Sequence, residues 1–206
     1  MKPIQNNKEE VPFEHYAKAF RQLDPQEAAQ RCRVKFDEAT GLFTLRLFGT
    51  PYQIRWPEYE ISGEEGSLAL RSLPAQTFLL RYLLEGKAVG FTGQWKTFRE
   101  MPWGEMYIQP YTGRCLTRAA FTFGTRVAQF QAACEKLGAL RLSHGDAAYQ
   151  LPVLDGYEMQ IIVWEGDDEF PPNAQLLYSD NFAEGFAAED RVVAGDLLIT
   201  AIKSQM

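Results

Sequence analysis

Cysteine is scarce in this chain and badly spaced for chemistry. Cys32, Cys115 and Cys134 are its three, and no CxxC or CxxH run joins them to each other or to histidine. That excludes a disulfide framework and paired-cysteine metal sites, and points to reduced, structural thiols in a cytosol. Long apolar runs are missing as well. None approaches the ~20 residues that a spanning helix needs, and the opening MKPIQNNKEEVPFEHY has no apolar core of a signal peptide. No phosphate-binding glycine loop, dinucleotide fingerprint or zincin motif occurs. Histidine appears only as His15 and His144.

The sharpest absence is of positive charge late in the chain. Between Gly145 and Asp190 there are 11 acids and no lysine or arginine. Residues 1–144 carry 19 Lys and Arg against 15 Asp and Glu, whereas residues 145–206 carry 2 against 12. A nucleic-acid backbone would be repelled by the second part. The asymmetry fits attraction between two parts of one fold, or a surface for a partner or a metal.

What is present reads as alternating helix and strand. Phe13, Tyr16, Ala17, Phe20 and Leu23 recur at helical spacing, after ten polar residues expected to fray. In DPQE, Asp24 suits an N-cap, Pro25 the first helical position and Glu27 the return carboxylate of a capping box. VKFDEATGLFTLRLFGTPYQIRW then switches to period two, which predicts a three-stranded antiparallel meander. Residues 58–73 read as an acidic connection. A helix is expected over PAQTFLLRYLLEG and stopped by Gly86, and another over Arg126–Leu137, with Cys134 in its apolar stripe. Strands are expected near Ala147–Leu151, Tyr157–Trp164 and Gln175–Tyr178, and a closing helix from about Ala188. The fold class that follows is α+β: a single domain over 11–206, mainly antiparallel sheet (N-terminal meander plus C-terminal strands) packed with amphipathic helices.

Two segments between these elements carry candidate chemistry. Thr92–Arg114, TGQWKTFREMPWGEMYIQPYTGR, reads as a long aromatic and basic loop. Trp95, Arg99, Tyr107, Tyr111 and Arg114 are its candidate ligand-binding residues, because aromatic faces and guanidinium groups together hold flat or anionic molecules. The alternative is that these side chains pin the loop, with Arg99 and Arg114 paired to acids. The second segment, WEGDDEFPPN, clusters Glu165, Asp167, Asp168 and Glu169. Asp167, Asp168 and Glu169, with His144 nearby, are candidate ligands for a hard cation in a metal-dependent enzyme. The favoured alternative is a solvated or salt-bridged turn leaving a buried strand, with capture of Arg99 or another basic residue of the first loop as a further one, and the ligand spacing is not that of an EF-hand. His144 with Asp146 also has the makings of an oriented base, yet no serine or cysteine nucleophile accompanies it.

TGQWKTFREMP and WEGDDEFPPNAQLLYSDN, with the terminal EDRVVAGDLL, resemble the bacterial Domain of Unknown Function 3786 family. The order DPQEAAQRC, GLFTLRLFGTPYQIRWP, LLRYLLEG, then the two loops, matches from about Asp24 to Lys203. The resemblance implies a cytoplasmic bacterial protein and supplies no reaction, cofactor or catalytic residue. Some relatives are joined to iron–sulfur modules or corrinoid-linked proteins. This chain lacks the four-cysteine module, so such a role is implied only through a protein partner. The resulting expectation is a non-catalytic small-molecule-binding or accessory domain with an aromatic-basic pocket. The alternatives are the metal-dependent enzyme at 165–169 and a protein-interaction module with an acidic docking surface, in either case without membrane or nucleic-acid binding.

Overall fold

A computed structural model describes residues 8–206. Most of the stretch expected to fray, residues 1–7, lies outside the described residues. The chain divides into two compact units, one ending at Ala88 and the other starting at Val89. Each combines helices with an antiparallel sheet, so the α+β class holds.

In the first unit, helix α1 (Glu10–Phe20) starts a few residues before the expected point and buries Phe20 against Phe43 and Tyr59, with ring centroids 6.0 and 5.4 Å apart. Helix α2 (Pro25–Cys32) begins as its sequence dictates: the Asp24 carboxylate accepts from Gln26 N at 2.9 Å and Glu27 N at 3.1 Å. Glu27 makes no return bond, so half of the expected capping box is absent.

The meander gains a strand. β1 (Lys35–Asp37), β2 (Leu42–Leu47), β3 (Thr50–Arg55) and β4 (Glu60–Gly63) pair in sequence order. Phe43 opposite Ile54 and Leu45 opposite Tyr52 form its dry face. β4 and the short helix α3 (Leu68–Arg71) replace the expected 58–73 connection. β4 carries Ile61 as its lone large apolar residue, so alternation could not reveal it. Helix α4 (Leu73–Glu85) buries Phe78, Leu79, Leu80, Tyr82 and Leu83. Burial of each such side chain contributes roughly 1.5–3 kcal/mol. Gly86 turns to extended backbone and ends the helix, and the position takes glycine because a Cβ there would lie 2.4 Å from the Tyr82 ring.

The second unit is built on a five-stranded sheet. Its strands are β5 (Trp95–Lys96), β6 (Leu140–Leu142), β7 (Ala147–Leu154), β8 (Tyr157–Trp164) and β9 (Asn173–Ser179), in the order β5-β9-β8-β7-β6, all antiparallel. β7, β8 and β9 contain the three expected strands. The edge strands β5 and β6 were too short to show a period. β8 is buried along nearly all its length, with Trp164 half-buried at its end.

Much of the aromatic segment is helical rather than loop. A 3₁₀ turn (Phe98–Glu100) is followed by α5 (Ile108–Tyr111), a π-helical stretch (Thr112–Thr117) and α6 (Arg118–Phe123). Pro110 and Gly113 hid this run from a propensity reading. Helix α7 (Val127–Lys136) buries Phe130 against Phe123 and Tyr149, at 4.9 and 5.6 Å. After the short α8 (Phe182–Gly185), helix α9 (Ala188–Lys203) closes the unit. All three cysteines are buried and free, and burial pushes the Cys32 and Cys115 thiols up to about 11 and about 12. No helix among the described residues is long and apolar enough to cross a membrane.

Candidate functional site

WEGDDEFPPN is the loop joining β8 to β9, which pair from Trp164 opposite Asn173 inwards. Its base is fixed by close approach. Gly166 N donates to Gly124 O at 3.1 Å, and a Cβ on Gly166 would lie 2.6 Å from Pro172 Cδ. A Cβ on Gly124 would lie 2.5 Å from Pro172 Cβ and 2.8 Å from Trp164 O. Only glycine lets these three segments meet.

The tip is closed by Asp167. Its Oδ1 accepts from Glu169 N at 2.8 Å and Phe170 N at 2.7 Å, while its own N–H donates to Phe170 O at 2.9 Å. These backbone donors, Phe170 first, hold its carboxyl below the usual aspartate range. Asp146, just before β7, adds a second brace: its Oδ2 accepts from Glu165 N at 2.7 Å. His144 is exposed in the turn before it, where Gly145 at φ +55° packs against Ile162 and Val163.

Among the described residues, the side chains of Glu165, Asp168 and Glu169 make no hydrogen bond or ion pair. Nor do three or more His, Cys, Asp or Glu side chains converge anywhere among them to hold a metal. The expected set Asp167, Asp168, Glu169 and His144 is thus not gathered around one point. Asp167 spends one oxygen on its own backbone, and Asp168 and Glu169 project outward.

The loop does border an open groove, lined by Asp146, Trp164, Glu165, Asp167, Phe170, Pro171, Pro172 and Asn173. Phe170 is 67% exposed, an unusual state for a phenylalanine on a braced turn. Aromatic and proline surface therefore sits beside carboxylates that make no ion pair with any described residue.

The aromatic-basic residues take other places. Arg99 Nε pairs with Glu105 at 3.0 Å, so it does not clasp the acidic loop. Arg114 pairs with Asp196 at 3.2 Å, where Arg118 also binds and donates to Thr200 Oγ1 at 3.0 Å. Trp95 lies on the edge strand opposite Ser179, half-buried. Tyr107 is 38% exposed, with Trp103 and Met106 near it at 69% and 73%. Tyr111 is buried and stacked on Phe98, 4.1 Å between centroids. None of the five lines the groove described above.

The family model for Domain of unknown function (DUF3786) matches residues 24–201. The chain belongs to that family. No curated protein and no solved structure matches it.

Two residues missed by the sequence reading stand out beside the candidates. Phe170 is one, an aromatic set between a charged turn and two prolines, a position that points to exposure. Arg191, 1% exposed, is the other, set inside the apolar stripe of α9. It is the sole cation between Gly145 and Lys203, which is a signal readable from the sequence.

Proposed function

We propose that this chain is a protein-interaction domain, and that the groove beside the β8–β9 loop docks a basic partner segment bearing an apolar side chain. The observation that supports it is the exposed Phe170 and its flanking Trp164, Pro171 and Pro172, ringed by Asp146, Glu165 and Asp167. An apolar anchor in a partly desolvated pocket supplies affinity, and surrounding charge supplies orientation and partner choice. The braces at Asp146, Gly124 and Gly166 preorganise the surface, so little ordering entropy is lost on binding. The three buried, unpaired thiols and the family resemblance support placing this protein in the cytoplasm of a bacterium.

Calorimetric titration with a short peptide rich in arginine and leucine tests this reading. Binding should weaken steeply with salt, since exposed charges are screened within about 8 Å at physiological ionic strength. Phe170→Ala should weaken it about tenfold or more. An acidic peptide of the same apolar content should not bind. Equal binding of both peptides, or indifference to Phe170→Ala and Glu165→Lys, would overturn the proposal.

A further inference from the structure

The groove beside the β8–β9 loop suits a basic segment with an exposed apolar side chain, and this chain presents one itself. Where α6 gives way to α7, Phe121 is 59% exposed and Arg126 is exposed as well. The Arg126 guanidinium donates to Thr122 O at 3.0 Å and pairs with no carboxylate among the described residues. Glu165, Asp168 and Glu169 are unpaired in the same sense. Complementary charges thus stand unused on one unit.

The two surfaces share a base. Gly124 closes α6, donating to Ala120 O at 2.8 Å, and its own carbonyl accepts from Gly166 N at 3.1 Å. Phe121 precedes Gly124 by three residues, the spacing that sets side chains on one face of a helix. Arg126 follows Gly124 by two residues, and Phe170 follows Gly166 by four. An aromatic with a cation therefore adjoins an aromatic with carboxylates across one backbone contact. Within the chain Arg126 reaches none of those acids. A two-fold contact brings them together, because the same patch serves on both molecules and each half meets its opposite.

We propose that the occupant of the groove is a second copy of this chain. In the resulting two-fold dimer, Phe121 of each copy packs beside Phe170 of the other, and Arg126 of each faces the other's Glu165, Asp168 and Glu169. The paired aromatics supply the affinity, and the reciprocal charges set the orientation. This assignment rests on the docking surface proposed above and names what fills it.

Sedimentation equilibrium of the full chain over a range of concentrations tests it. The wild type should show a monomer–dimer equilibrium. Arg126→Glu should weaken the dimer about tenfold or more, because the symmetry makes each reversal count twice. Asp168→Lys with Glu169→Lys in one chain should do the same. An equimolar mixture of these two variants should associate again, since every charge then faces its opposite. Phe121→Ala should cost about tenfold in dimer affinity. Leu140→Ala, which removes an exposed apolar side chain on edge strand β6, should cost nothing.

Three results would overturn the proposal: a monomer at about 1 mM chain, a dimer indifferent to both charge reversals, or a mixture of the variants that stays monomeric. The arginine-leucine peptide separates this failure from failure of the groove itself. A monomeric chain that binds the peptide loses the second copy and keeps the docking surface, whereas a monomer that ignores the peptide loses both.

Discussion

The carboxylate of Asp167 binds the amide of Phe170, 2.7 Å away, and so the most acidic loop of the chain is shaped by one of its own acids. That bond turns the phenyl ring outward on a fixed frame. It also explains why a cluster that reads as a cation site has another use: an oxygen that would face a metal is committed to the backbone.

Because backbone donors lower the Asp167 pKa, its hold on the loop is linked to pH. A depressed folded-state value means the stabilisation is complete above the ordinary aspartate pKa and is lost as pH falls through the lower, folded-state value. Protection of the Glu169 and Phe170 amides from hydrogen exchange should therefore persist at the ordinary aspartate pKa and disappear only below it. Asp167→Asn keeps an acceptor without the charge, and the protection should then lose its acid transition.

The glycine contacts at the loop base predict a stability loss. Gly166→Ala places a methyl group 2.6 Å from Pro172 Cδ, and Gly124→Ala places one 2.5 Å from Pro172 Cβ. Each should cost about 1–3 kcal/mol in chemical denaturation, the usual range for overpacking. Combined in one chain, the two should cost less than their sum, since both displace Pro172.

The Asp24 cap of α2 gives a control in the other unit. Asp24→Ala removes the acceptor for Gln26 N and Glu27 N and should destabilise by about 1 kcal/mol. Asp24→Asn should restore most of that, and peptide binding at the groove should be unaffected by either.

Legibility in the sequence followed the length and contrast of each signal. β2 and β3 were readable because Phe43, Leu45 and Leu47 alternate with polar residues, and α2 because Asp24-Pro25 marks its start. β4 and β5 were not, since two to four residues at a sheet edge bury too little to leave a period. The π-helical stretch was hidden by Gly113, and its role is visible only in space, where it carries Arg114 to Asp196 and packs Cys115 against α9. The acidic loop was located correctly, but its chemistry depends on which oxygen meets which amide, and residue spacing does not encode that. Arg99 shows the same limit: opposite charge six residues away, on Glu105, won over the distant acidic loop.

The most direct test of the docking surface is amide chemical-shift mapping of the full chain as the arginine-leucine peptide is added. The account predicts that the largest changes fall on Asp146 and on Trp164 to Asn173, saturate together, and need at least about tenfold more peptide in high salt and in Phe170→Ala. Changes centred instead on Trp95, Trp103 or Tyr107, with residues 164–173 undisturbed, would contradict it and return the aromatic-basic segment to first place.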